Sequence, residues 1–184
     1  QYMRSKNGLV VVAAGNAGVD PGYADNPYMI SVSATINDDT KASWSNYGAF
    51  IDVAAPGDYI QTTNKGGGYG NWRGTSFSSP VAAGAVALIM GANTALSATQ
   101  VEQILEKSAD KIAGDFHPYY GYGRINVANA VTMALNTIVA DTQAPSVNIF
   151  SPGSSSTASG LVTVDVNASD NVGVSAVSLY ANGR

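Results

Sequence analysis

Arg73 to Asn93 reads RGTSFSSPVAAGAVALIMGAN, and the fold turns on this stretch. A glycine and a threonine lead into Ser76, which is expected just before a helix. Pro80 is expected in that helix's first turn, where its missing N–H costs little. Every residue from Val81 to Met90 is apolar or small, so the helix reads as buried on all sides. A serine where a sharp turn meets the N-terminus of a buried helix sits in local positive potential. Taken alone, such a serine is most simply an N-cap. A nucleophile would stand in the same place, and the rest of the chain must separate the two.

The 184 residues allow one domain, or one domain and part of another. Hydrophobic residues make up 45% and charged residues 12%, with 20 glycines, which describes a globular chain with a large core and many turns. A net charge of −4 without any Lys or Arg cluster argues against a nucleic-acid surface. There is no cysteine, so neither disulfides nor thiolate metal sites are available. No apolar window is expected to reach the roughly 18 residues of a membrane span, and Val81 to Met90 reads as core. Gln1 is not a methionine, and the chain stops at Arg184 inside a strand-like pattern, so both ends are expected to be cut.

Working outward, Asn7 to Gly15 (NGLVVVAAG) is a turn followed by a run suited to a parallel strand buried on both faces. It ends in a loop, Gly15 to Gly18, at the carboxyl edge of the strand, where open α/β sheets place their sites. Met29 to Thr35, Ile51 to Ala55 and Tyr59 to Thr63 read as further strands, and Ala42 to Tyr47 as a short polar-aromatic segment. Gly66, Gly67, Gly68 and Gly70 mark a hairpin or loop. Ser97 to Gln100 fits a capping box for a helix with Val101, Ile104, Leu105 and Ser108 on one face, ending near Asp110. Asn126 can cap a last helix from Val127 to about Ile138, its inner stripe being Val127, Ala130, Val131, Ala134 and Leu135. Strands alternating with helices predict an α/β fold with a mainly parallel sheet flanked by helices. From Thr142 to Pro145 the composition changes. Ser146 to Pro152, Leu161 to Ala168 and Val174 to Ala181 alternate with period two, so residues 141–184 are expected to be the first strands of a truncated all-β sandwich.

Gly74 to Gly84 (GTSFSSPVAAG) resembles the nucleophile signature of subtilisin-like serine peptidases. Ala13-Ala14-Gly15-Asn16 is similar to their oxyanion-hole motif. Ser43 to Gly48 (SWSNYG) with Ile51 to Gly57 (IDVAAPG) resembles the segment between those two, and Gly121 to Val127 (GYGRINV) with Ala130 and Val131 resembles the closing helix. These motifs, in family order, cover roughly Gln1 to Ala140. The resemblance implies that residues 1–140 are the C-terminal part of a secreted endopeptidase domain of incomplete subtilisin-like fold. It makes Ser76 the nucleophile and gives the oxyanion two donors, the Asn16 side-chain amide and the Ser76 N–H. That chemistry needs these groups: a serine hydroxyl is weak until a base takes its proton, and the oxyanion needs donors placed beforehand. A nucleophile elbow is excluded, since Ser78 stands where it needs its second glycine. The Gly66 to Gly70 loop lacks phosphate-loop spacing.

The same resemblance sets limits. The family triad runs Asp, His, Ser along the chain, and here only the serine has its motif. The one histidine, His117, follows Ser76 and is expected to be a surface loop residue. The base and its carboxylate are therefore expected upstream of Gln1, and the chain alone is expected to be inactive. By resemblance, Gly15 and the loop from Ala17 to Tyr23 wall the pocket for the residue before the scissile bond. Trp72 and Tyr69 border the leaving-group side or are simply core or hairpin aromatics. A structural calcium is implied at Asp52 with the carbonyls of Pro27 and Met29, against the simpler reading of Asp52 as a turn cap. Residues 144–183 resemble the start of a bacterial immunoglobulin-like domain, a spacer or a contact to polymer or cell wall. Protein or peptide substrates follow from the peptidase reading. Its rival is a non-catalytic relative kept as an extracellular binding or structural module.

Overall fold

The computed structural model describes residues 1–138, 143–170 and 173–180, and the chain divides into two compact units, Gln1–Thr137 and Ile138–Arg184. In the first unit, α1 (Tyr2–Ser5) leads to β1 (Val11–Ala13), β2 (Ile30–Thr35) and β3 (Val53–Pro56), which form one parallel sheet in the order β1-β2-β3. β4 (Ile60–Thr63) and β5 (Tyr69–Trp72) make an antiparallel hairpin turning at the expected glycines. Three helices follow: α2 (Thr75–Ala92), α3 (Ala98–Lys107) and α4 (Val127–Asn136). β2 is buried at every position, as a central strand covered on both faces must be. The β-carbon of Ala34 and the hydroxyl of Ser78 converge on Gly57, so α2 lies over the Ile30, Val32 and Ala34 face of β2.

α2 departs from expectation in three ways. It begins at Thr75, with Gly74 as its N-cap, so Ser76 lies inside the first turn rather than before it. Pro80 consequently falls in the second turn, and because proline has no N–H, the carbonyl of Ser76 goes without its helical donor. Nor is the helix buried all round. Thr75, Ser78, Ala82, Ala85, Val86 and Ile89 are buried, the helix packing on the sheet and on α3 and α4, whereas Val81 is 36% and Leu88 55% exposed and Gly84 and Gly91 face open space. At 18 residues α2 is also long and apolar enough to cross a membrane by length and composition, contrary to expectation. Its packing on β1, β2 and β3 identifies it as the core helix of the unit.

α3 has the predicted capping box, Ser97 with Gln100. A second clamp joins it to the start of the chain, because Asn7 Oδ1 accepts from Ala98 N–H while Asn7 Nδ2 donates to Leu96 O. Val101, Ile104, Leu105 and Ser108 are all buried. α4 is capped by Asn126 and buries Ala130 and Ala134, while Leu135 of the expected inner stripe is 64% exposed because that stripe is narrower than the sequence pattern. Between α3 and α4, residues 121–125 run along the outer edge of β3: Tyr122 N–H donates to Asp52 O, and Ile125 N–H to Ala54 O. Covering an edge strand in this way satisfies amides that would otherwise be open. Arg124 holds the crossing by pairing with Asp39 and, at 2.6 Å, with Asp110.

In the second unit, β6 (Ser146–Ser151) pairs antiparallel with β7 (Asp165–Ser169). The expected strand from Val174 is not formed over residues 174–180, which lack a ladder partner, and Ala181 lies outside the described residues.

Candidate active site

The site is built where the end of β1 meets the start of α2. β1 ends at Ala13, the chain turns at Gly15, whose φ of +102° suits glycine, and the next residue, Asn16, lies on an open loop. Its Oδ1 accepts two hydrogen bonds, from Thr75 N–H and from Thr75 Oγ1, both at 2.9 Å. Thr75 Oγ1 in turn accepts from Gly15 N–H at 3.1 Å. One buried threonine thus ties the loop and the helix together. With Oδ1 occupied, Nδ2 of Asn16 is left as the outward donor.

Gly74 shows where that donor points. A β-carbon there would lie 2.9 Å from Ser76 Oγ and 3.5 Å from Asn16 Nδ2, so hydroxyl and amide border the same small space, kept open by a residue without a side chain. Ser76 is exposed, and its N–H belongs to the first turn of α2, where amides have no intrahelical acceptor and the helix dipole is positive. This geometry places a hydroxyl near the Asn16 amide and at the N-terminal turn of α2, an arrangement that can hold an oxyanion.

Around this centre the expected residues divide. A cavity of about 540 Å³ lies beside β1, lined by Val12, Ala13, Ala14, Gly22, Tyr23, Ala24, Met29 and Phe50, among others. Its lining carries no charged side chain but includes the polar Asn26 and Ser31, and the Ala17 to Tyr23 loop contributes only its end; Gly15 is not among its lining residues. Trp72 is 52% and Tyr69 74% exposed, so neither is a core aromatic. Trp72 Nε1 donates to Asn64 Oδ1 at 2.9 Å across Gly70. Trp72 borders a separate cavity of about 380 Å³ with Asp58, Tyr59, Asn71 and Arg73. His117 lies in the loop before residues 121–125, and its Nδ1 accepts from Tyr119 N–H at 3.1 Å.

Asp52 and Pro27 border a third cavity, about 360 Å³, with Asp25, Glu102, Glu106 and Arg4, whereas Met29 lines the cavity beside β1. Asp52 is buried, and its Oδ2 accepts from Ser31 N–H at 2.6 Å. Loss of hydration pushes its pKa up to about 7, the Ser31 bond opposing and Asp25, Glu106 and Glu102 adding to the rise. Glu106 is likewise pushed up to about 7, first by burial and then by Glu102 and Asp25. Among the described residues no three acidic or histidine side chains are grouped so as to hold a metal.

The sequence reading did not single out Thr75 as the partner of Asn16, nor Asn46. Both lie inside the quoted motifs, but which polar group each would meet depends on how segments far apart in the chain approach one another.

Comparison with known proteins identifies the family and the fold. The subtilase family model matches residues 1–124, and a bacterial Ig domain model matches residues 145–184. The thermophilic serine proteinase of Bacillus sp. (strain AK1) is 42% identical over 133 residues, covering 71% of this chain and 32% of that protein. Thermitase of Thermoactinomyces vulgaris is 40% identical over 134 residues, covering 71% of this chain and 46% of thermitase. The chain thus spans less than half the length of these curated relatives. Among solved structures, the protease domain of PatA, in its self-cleaved form, is similar at TM-score 0.64 and 31% identity, over 72% of this chain and 52% of that one. A lanthipeptide protease is similar at TM-score 0.65 and 27% identity, over 72% and 52%. With its subtilisin-like α/β unit and the Ig-domain match at its C-terminus, the chain belongs to the subtilase family of serine proteases.

Proposed function

We propose that residues 1–140 are the C-terminal part of the catalytic domain of a secreted serine endopeptidase, and that Ser76 is its nucleophile. The observation that carries this reading is the bare α-carbon of Gly74 between Ser76 Oγ and Asn16 Nδ2, with Asn16 held in place through Thr75. In the reaction, Ser76 Oγ attacks the scissile carbonyl carbon and passes its proton to a base. The carbonyl oxygen becomes an oxyanion held by Asn16 Nδ2 and Ser76 N–H. Collapse expels the amine, which takes the proton, and leaves a Ser76 ester that water then hydrolyses. His117 is not assigned as that base, because it follows Ser76 in the chain and stands in no motif resembling the family's histidine motif, and the base and its orienting carboxylate belong upstream of Gln1.

The cavity beside Ala13, Ala14 and Tyr23, which no charged side chain lines, supports an uncharged side chain before the scissile bond, with Gly15 lining the approach. Trp72 serves the leaving-group side. Asp52, with carbonyls of Pro27 and Met29, would hold a structural calcium. The donors are all oxygen, as calcium takes them, and the neighbouring carboxylates that raise the proton affinity of Asp52 favour any cation there. Such an ion would offset charge repulsion between the strands and α3. The Xanthomonas campestris extracellular protease, 40% identical over 145 residues, supports secretion, and residues 141–184 then act as a spacer or a contact to polymer or cell wall.

The test is an organophosphorus serine probe on the intact protein. Labelling and peptidase activity are expected, and Ser76→Ala should abolish both. Undiminished labelling of Ser76→Ala, or robust hydrolysis by the isolated 184-residue chain, would overturn the reading.

A further inference from the structure

The loop that carries Asn16 is not held by a β-ladder beyond Ala13. Asn46, from the segment before β3, grips it instead. Its main-chain N–H donates to Gly15 O at 2.9 Å, and its Nδ2 donates to Ala14 O at 3.1 Å. Its Oδ1 accepts from Ala17 N–H at 2.9 Å and from Val19 N–H at 3.3 Å. Two of these bonds fall before Asn16 and two after it. The fit is close, since a β-carbon on Gly15 would lie 2.5 Å from Asn46 Nδ2, and one on Gly18 would lie 2.7 Å from Ser43 O. Asn46 is itself anchored through Ser45, which is buried, accepts from Ala34 N–H of β2 and donates to Asn46 O. The chain of support therefore runs from the central strand through Ser45 and Asn46 to the loop, and ends at the Asn16 amide.

We propose that Asn46 is a positioning residue for the reaction: it sets where the Asn16 amide stands, and so how well the oxyanion is held, without touching substrate. The inference rests on the roles given above to Ser76 and Asn16. A carboxamide is required because the grip needs a donor toward Ala14 O and a two-fold acceptor toward Ala17 and Val19, and no other side chain of that length supplies both. Removing an oxyanion donor outright lowers turnover about 10²–10³-fold. Releasing its loop should give part of that loss.

The experiment is a double-mutant cycle in the intact protein, with kcat and KM referred to sites titrated by the serine probe. Asn46→Ala is expected to lower kcat about 10–100-fold and to change KM by less than about threefold. In an Asn16→Ala background, where there is no amide left to position, the same change should lower kcat less than about twofold. Asn46→Asp keeps the acceptor but not the donor, and should recover part of the loss. If Asn46→Ala does not fold, the same cycle with Asn46→Asp decides the matter. Equal losses in both backgrounds, or an unchanged kcat with only a lowered Tm, would overturn the inference. The two layers separate cleanly. An Asn16→Ala variant with normal kcat removes the oxyanion reading and this inference with it. A damaged Asn16→Ala beside a normal Asn46→Ala removes this inference alone.

Discussion

Replacing Gly74 with alanine should separate folding from chemistry at the site. Gly74 has φ 149° and ψ 152°, a region that residues with a β-carbon scarcely enter, at a cost of about 1–3 kcal/mol. For a protein of this size each kcal/mol lowers Tm by about 2–4 °C, so the intact Gly74→Ala protein should unfold a few degrees early and remain folded at 25 °C. Its chemistry should suffer much more. The added methyl would stand 2.9 Å from Ser76 Oγ and 3.5 Å from Asn16 Nδ2, in the space assigned to the oxyanion. Blocking that space removes at least one donor's stabilisation, about 2.7–4 kcal/mol or 10²–10³ in kcat, and turning the serine away from the methyl adds to the loss. Steady-state hydrolysis of a chromogenic peptide, probe labelling and thermal unfolding measure the three quantities. Turnover within about threefold of wild type, with normal labelling, would refute the assignment of that space.

Two further outcomes follow from other parts of the fold. With a chelator present, stability of the intact protein should decline as pH rises from about 4 to about 7 and then level off. Asp52 and Glu106 are pushed up to about 7 from 3.8 and 4.5, so between those values the folded state keeps protons that the unfolded state has released. Asp25 and Glu102 strengthen this effect, while Arg4 and Lys111 weaken it at Glu106. Asp52→Asn should flatten the decline, with a gain at pH 8 on the order of 1–4 kcal/mol, and urea unfolding at several pH values checks this; a profile rising from pH 5 to 8 contradicts it. Gly121→Ala should destabilise by about 3 kcal/mol or more, because its β-carbon would stand 2.2 Å from Asp52 O and 2.6 Å from Ile51 O at φ +59°. A Tm within a degree or two of wild type would show that residues 121–125 can leave β3 without loss.

Much of the architecture could be read from local pattern. The apolar run at Val10 to Ala14 and the strand-like stretch at Met29 to Thr35 became neighbouring parallel strands, and the Ser97–Gln100 signature became a working capping box. Such features depend on residues close in sequence. What escaped depends on approach between distant segments. The uniform apolarity of Val81 to Met90 hid which face of α2 meets the sheet, since small and apolar residues suit either surroundings. Leu135 fits the helical period of α4 yet lies beyond the narrow contact made by Ala130 and Ala134. Pro27 and Met29, two residues apart, border different cavities, because the chain turns between them, with Met29 N–H donating back to Asn26 O. The serine motif pointed to Ser76 and Asn16, but the fixing of Asn16 by Thr75 could be seen only with β1 and α2 side by side.

The supports of Asn16 also bear on when the site comes into being. Thr75 lies 59 residues beyond it, and Asn46 holds Ala17 from 29 residues further along the chain. Contacts of that separation form late, because the loops they close must first give up their entropy. Neither the β1 segment nor the α2 segment can assemble the proposed oxyanion donors alone, so partly folded chains lack them whatever else they have formed. For the peptidase proposed above this orders events: the intact protein folds in the company of its own unfolded copies before its oxyanion donors exist.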